Sequence, residues 1–144
     1  MNDVTTYHRL GHNNVQLLGQ ADVFDNPVDP GQLAKFLADD GHELVFATSG
    51  KTIIGFASGS ILLHPDKAPA FFVNEVDVSP AYQRQGVATA LCRMLIGVAR
   101  DRGCQGIWLA TEEDNVAARA LFGGLDARET GEIVVSDWDG AMDA

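Results

Sequence analysis

Cysteine is scarce in this chain, basic residues are outnumbered, and no apolar run is long. Two cysteines, Cys92 and Cys104, provide neither a disulfide framework nor a thiolate metal site. Cys92 reads instead as a small apolar residue of a helix. The histidines, His8, His12, His42 and His64, are scattered, and the one pair at helical spacing straddles a strand end, which argues against a metal site. The longest uncharged apolar run, Ile53 to Leu63, is too short to span a bilayer and is interrupted by glycine and serine. Met1-Asn2-Asp3 lacks the basic start and apolar stretch of a leader, so a cytoplasmic location with no membrane partner is expected. Lys and Arg number 10 against 20 Asp and Glu, a net charge of −10, which repels nucleic acid and attracts polycations. A solvated acidic shell is the other reading of that charge.

What is present fits one soluble domain, residues 1–144. Hydrophobic residues make up 46% and charged residues 21%, enough for a sizeable core, and no repeat, low-complexity segment or long linker interrupts the chain. Tyr7 to Leu10 reads as a first strand, and Asn13 to about Phe24 as a helix with Val15, Leu18 and Ala21 inward. Asp29-Pro30 reads as a cap and first turn of a second helix carrying Leu33, Phe36 and Leu37, stopped by Gly41. Glu43–Ser49 and Thr52–Leu63 form a hairpin about Ser49-Gly50-Lys51, and Phe71–Val78 is the next strand. A strand near Ile107, a helix from about Asp114 and a last strand within Glu132 to Trp138 complete a mixed α/β order.

The most informative stretch joins the Phe71–Val78 strand to a helix. Apolar residues at Val87, Leu91, Met94, Leu95 and Val98 mark one helical face, and the pattern ends at Arg100, Arg102 and Gly103. The helix therefore starts near Gly86, where free amides and the helix dipole favour an anion. Gly86, and less completely Ala88, let a ligand approach the backbone, while Gln83, Arg84 and Gln85 add side-chain donors. An ordinary helix start is the plainer reading of Gly-x-Ala taken alone.

The turn Gln83-Arg84-Gln85-Gly86-Val87-Ala88 and the segment Asn115-Val116-Ala117-Ala118-Arg119-Ala120-Leu121-Phe122 together resemble two motifs of the GNAT superfamily of acyl-CoA N-acyltransferases. The resemblance implies an α/β (α+β) GNAT fold: a mixed, mostly antiparallel central sheet with a β-α-β acetyl-CoA-binding unit and flanking helices. It implies acetyl-CoA as cosubstrate, its pyrophosphate held by Gln83, Arg84, Gln85, Gly86, Val87, Ala88 and Thr89. Val76 and Val78 would pair with the pantetheine arm, and Phe122 would lie beside the thiol. Asn115 either bonds that arm or caps its own helix.

Acetyl transfer from a thioester needs an unprotonated amine, an oriented carbonyl and a proton for the leaving thiolate. Side chains alternate along a strand, so Glu75 and Asp77 share one face while Asn74, Val76 and Val78 share the other. Glu75 is the first candidate base and Asp77 the second; burial near the cofactor would raise the proton affinity of Glu75 toward working pH. Many members of the family carry tyrosine where this chain has Phe122, and phenylalanine has no proton to give, so water, product ammonium or another hydroxyl must protonate the sulfur.

From about Ala21 to Asp139 the chain is similar to the type I aminoglycoside 3-N-acetyltransferases, through Asp22-Val23-Phe24, Val87-Ala88-Thr89-Ala90-Leu91 and Ser136-Asp137-Trp138-Asp139. That likeness implies acetylation of the 3-amino group of gentamicin-like antibiotics. Asp137, Asp139, Glu75 and acids of the early helices would bind the ammonium groups. Glu112 lines the acceptor side or is simply solvated. Other amines, a polyamine or a protein lysine or N-terminus, fit the same cofactor motifs, as does a non-catalytic acyl-CoA-binding module. A homodimer is a plausible assembly for the family.

Overall fold

Strand β1 (Thr5–Arg9) pairs antiparallel with β2 (His42–Ser49), and β2 with β3 (Thr52–Leu62). Strand β3 pairs antiparallel with β4 (Ala70–Val78), and β4 runs parallel to the short β5 (Gly106–Trp108). The computed structural model describes residues 4–138, 140, 141 and 143, and its five strands lie in the order β1-β2-β3-β4-β5. The expected hairpin, its turn and the mixed, mostly antiparallel sheet are all observed.

Strands β2 and β3 are buried almost throughout because both sheet faces are covered. On one face lies α2 (Val87–Asp101), with Val87, Leu91, Leu95, Val98 and Ala99 inward against Val45, Ala47, Ile54 and Ala57, and with Cys92 buried too. Met94 is half-buried at the edge of this core. On the other face Leu18, Val23, Leu44, Phe46, Ile53 and Phe56 form a second core, joined by Leu33 and Phe36 of α1 (Pro30–Ala38). Asp29 caps α1 as expected, its carboxylate accepting the Gln32 amide at 2.8 Å. The helix closes at Ala38, three residues short of Gly41.

Two expected elements differ. Instead of a helix over residues 13–24, only a 3-10 segment, Val15–Gln20, forms. Asn14 diverts the chain there: its side chain accepts the Gly11 amide and donates to the Arg9 carbonyl, each at 2.9 Å. Past Gln20 the chain becomes extended at Ala21 (φ −69, ψ 138), Val23 is buried, and Phe24 packs on Phe56 with ring centroids 4.3 Å apart. The last expected strand, within Glu132 to Trp138, is absent: residues 127–138 form no regular element. Ile133, Val134 and Val135 are consecutive apolar residues, all exposed, and Glu132 sits at φ 62, which breaks an extended run.

The chain divides into two compact units, Met1–Ala110 and Thr111–Ala144. In the second, α3 (Val116–Gly124) starts at Asn115, whose side chain accepts the Ala118 amide at 3.0 Å. Arg119 grips Glu129 through two bonds of 3.0 and 2.9 Å and donates to the Glu113 carbonyl.

Candidate active site

The register between β3 and β4 slips by one residue: Ser58 faces Glu75 while Gly59 faces Val73, leaving Asn74 unpaired as a bulge. Phe71 and Val73 face α2 before the bulge, and Val76 and Val78 face it after. Glu75 is thereby turned to the opposite face, where it lines the cavity beside α1. Gly59 makes the close approach possible, since a Cβ there would lie 2.1 Å from the Phe71 ring.

That cavity, of about 340 Å³, has Leu18, Leu33, Phe36, Leu44 and Phe56 as an apolar floor and Asp25, Asp29 and Glu75 as its acids. The Glu75 carboxyl is held above the ordinary glutamate range, first by desolvation, then by the negative charges of Asp25 and Asp77. Asp77 is less free: its carboxylate accepts the Val78 amide at 2.9 Å. Ser58, directly opposite Glu75, is buried and shares the cavity. Asp25 follows Phe24 in an acidic early stretch of the sequence, but the cavity and Ser58 are visible only in the fold.

The outer edge of β4 is open beyond Phe72, where the last rung to Trp108 is closed by ring contact at 4.4 Å. The Ser79 amide bonds the Ile54 carbonyl at 2.8 Å, and pairing alternates along an antiparallel ladder. Asp77 and Glu75 therefore spend their backbone groups on β3, and those of Val76 point to the open edge. Val78 lies in the same phase, but its amide is taken by Asp77 and its carbonyl by the Gln83 side chain, the latter at 3.0 Å.

The turn itself is shaped by Arg84 at φ 62 and Gly86 at φ 82. The first intrahelical bond runs from Ala90 to the Gly86 carbonyl at 3.0 Å, and among the described residues the amides of Val87, Ala88 and Thr89 have no acceptor. These three amides, with the helix dipole behind them, form an anion cradle. The Gln83 and Gln85 side chains, expected as donors to the ligand, are committed to the carbonyls of Val78 and Ala81. Arg84 is exposed beside the cradle. On α2, burial pushes the Cys92 thiol up to about 11, consistent with an inert core residue.

The remaining candidate residues belong to the second unit. Asn115 is a helix cap, Phe122 is half-buried, Glu112 and Asp137 are exposed, and Asp139 lies outside the described residues.

The sequence matches the model of the Acetyltransferase (GNAT) family over residues 14–124, a stretch that includes parts of both units. It is 33% identical over 118 residues to the N-alpha-acetyltransferase RimI of Mycobacterium tuberculosis, covering 81% of this chain and 71% of that protein. It is 35% identical over 82 residues to the ribosomal protein bS18 alanine N-acetyltransferase of Escherichia coli, covering 57% of this chain and about half, 52%, of that relative. Among solved structures, an aminoglycoside acetyltransferase from an uncultured soil metagenomic sample, in complex with sisomicin, superposes with a TM-score of 0.80 at 16% identity, covering 93% of this chain and 95% of that one. AAC(6')-Iy, in complex with a bisubstrate analogue, gives 0.77 at 19% identity, covering 94% and 98%. At such identities the likeness is one of fold.

Proposed function

We propose that this chain, which belongs to the GNAT family and is an acetyl-CoA-dependent N-acetyltransferase, acetylates a primary amine of a compact polycationic acceptor. The observation that carries this reading is the apolar-floored cavity in which Asp25, Asp29 and Glu75 converge. Acetyl-CoA would lie along the open edge of β4, with its pyrophosphate on the amides of Val87, Ala88 and Thr89 and Arg84 beside it, and with Val76 pairing the pantetheine arm. Residues 1–144 would then work as one catalytic domain.

In the reaction the acceptor ammonium gives a proton to Glu75, directly or through water. The freed nitrogen attacks the thioester carbonyl, the C–N bond forms as the C–S bond breaks, and the thiolate takes a proton from water or the product ammonium, since Phe122 has none to give. A carboxyl already held above its usual range is the better proton acceptor near neutral pH.

Aminoglycosides are the acceptors most consistent with the acids and with the sequence resemblance described above. Their 3-amino position rests on that resemblance alone; the neighbour AAC(6')-Iy is named for another position. A second reading, the N-terminal amine of a polypeptide, is favoured by the names of the RimI-type relatives.

Thiol release from acetyl-CoA, compared for gentamicin, sisomicin, spermidine and a peptide with a free N-terminus, separates these readings. Release with the aminoglycosides and a monoacetylated product is the expected result. Release with the peptide alone would replace it with the second reading.

A further inference from the structure

Ser58 has no duty in the reading above, yet the fold buries it at the reacting centre. It is 5% exposed, and its neighbours on the α1-facing side of the sheet are Phe56 on its own strand, Leu44 opposite it on β2 and Glu75 opposite it on β4. It lines the cavity together with all three. Among the described residues its hydroxyl has no hydrogen-bond partner, and of those neighbours only Glu75 is polar. A buried hydroxyl among apolar side chains is costly unless it finds an acceptor. Directly opposite residues of a ladder hold their Cβ atoms about 4.5–5.5 Å apart, and a glutamate side chain is long enough for its carboxylate to accept from the serine oxygen across that gap.

A general base takes a proton only when it is ionised. Every charged group that faces Glu75 favours the protonated form instead: Asp25 from the segment before α1, Asp29 from the start of α1 and Asp77 from its own strand, while the apolar floor withholds water. Among the described residues no Lys, Arg or His lines the cavity. Of the neutral donors that do, Asn26, Gln32 and Ser58, only Ser58 is fixed by the ladder on the same rung as Glu75. We propose that Ser58 is a positioning residue for the base, its hydroxyl donating to the ionised Glu75 carboxylate and holding one oxygen while the other is presented to the acceptor amine. The inference rests on the acetyltransferase reading of the cavity and holds whichever amine is the acceptor. As Glu75 takes the proton, the acceptor of this bond turns from charged to neutral, so the bond is strongest before the transfer and weakens with it.

The test follows two pH midpoints in the wild type, Ser58→Ala and Ser58→Thr. One is that of kcat/KM, from thiol release with gentamicin, spermidine and a peptide with a free N-terminus. The other is that of the Glu75 carboxyl itself, from carbon NMR, with the signal assigned by difference against Glu75→Gln. Ser58→Ala should move both midpoints up by about one pH unit, about 10-fold in proton affinity, the size expected when a hydrogen bond to a charged group is lost. The KM for acetyl-CoA should stay where it is. Ser58→Thr, which keeps the hydroxyl, should bring both midpoints back to within about 0.3 unit of the wild type. A midpoint that Ser58→Ala leaves in place or lowers, or a Ser58→Thr protein that titrates like Ser58→Ala, overturns the assignment and leaves the acetyltransferase reading standing. Thiol release with none of the amines overturns that reading; an NMR midpoint that still moves up in Ser58→Ala then supports the bond from Ser58 to Glu75, and one that does not overturns it as well.

Discussion

The side-chain amide of Gln83 donates to the main-chain carbonyl of Val78 at 3.0 Å, tying the turn before α2 to the end of β4. The cradle is therefore shaped by the chain itself before any anion arrives, which lowers the ordering cost of binding. Gln83→Ala removes one hydrogen bond worth about 1 kcal/mol, so the KM for acetyl-CoA should rise by roughly fivefold with the acceptor KM unmoved. Steady-state kinetics with each substrate varied in turn decide it; an unchanged acetyl-CoA KM would mean the turn stands without this bond.

Glu75→Gln keeps the shape of the side chain and removes its basicity. Loss of a positioned general base costs about 10²–10⁴-fold, so kcat should fall in that range while acetyl-CoA still binds. In the wild type, kcat/KM should rise with pH as Glu75 loses its proton, with a midpoint above the ordinary glutamate value because burial, Asp25 and Asp77 all favour the protonated form. Asp77→Asn removes one of those charges and should move the midpoint down. A midpoint that moves up, or a Glu75→Gln enzyme with full turnover, would contradict the assignment.

Gly86 sits at φ 82, with open space where a Cβ would project. Gly86→Ala therefore meets no clash within the protein, and its cost is backbone strain of about 1–2 kcal/mol. Thermal unfolding should register a fall of a few degrees, and the acetyl-CoA KM should rise by about 10-fold or more, since the methyl group enters the cradle. Wild-type affinity in this variant would place the anion elsewhere.

Glu43, 7% exposed on β2, is gripped by Arg9 of β1 through bonds of 3.0 and 2.9 Å and by Arg102 just past α2. Glu43→Gln leaves two guanidinium groups short of their anion. Full loss of a buried partner costs about 3–5 kcal/mol, and the partial exposure of both arginines should reduce this to about 2–3 kcal/mol. Urea unfolding measures it, and a change below about 0.5 kcal/mol, the range of ordinary surface substitutions, would show that the clamp is not needed for stability.

Phe122→Tyr restores a hydroxyl at a position where many relatives are expected to carry one. If the thiolate is protonated without help from this residue, kcat should change by no more than about threefold. A gain of orders of magnitude would show that protonation limits the native enzyme.

Helix α2, the hairpin and the turn at Gly86 were legible because each depends on local signals: an apolar stripe at helical spacing, a tight-turn tripeptide, and a glycine where φ must be positive. The elements that differ answer to contacts distant in sequence. Asn14 folds back on Gly11 and Arg9, so residues 15–20 tighten into a 3-10 segment, and no apolar periodicity reports that choice. The run Ile133-Val134-Val135 has strand composition without alternation. Glu75 and Asp77 were identifiable as strand carboxylates, but Ser58 opposite Glu75, the Glu43 clamp and the cavity shared by Asp25 and Glu75 each need two elements brought together by the fold.

The unpaired Asn74 has one last consequence. Were it drawn into regular pairing, the far half of the strand would be turned inside out, with Glu75 and Asp77 delivered to the oily side under α2 and Val76 and Val78 to the acid cavity. The extra residue absorbs one step of the pleat, so the face on which the carboxylate emerges depends on an asparagine that the strand register leaves out.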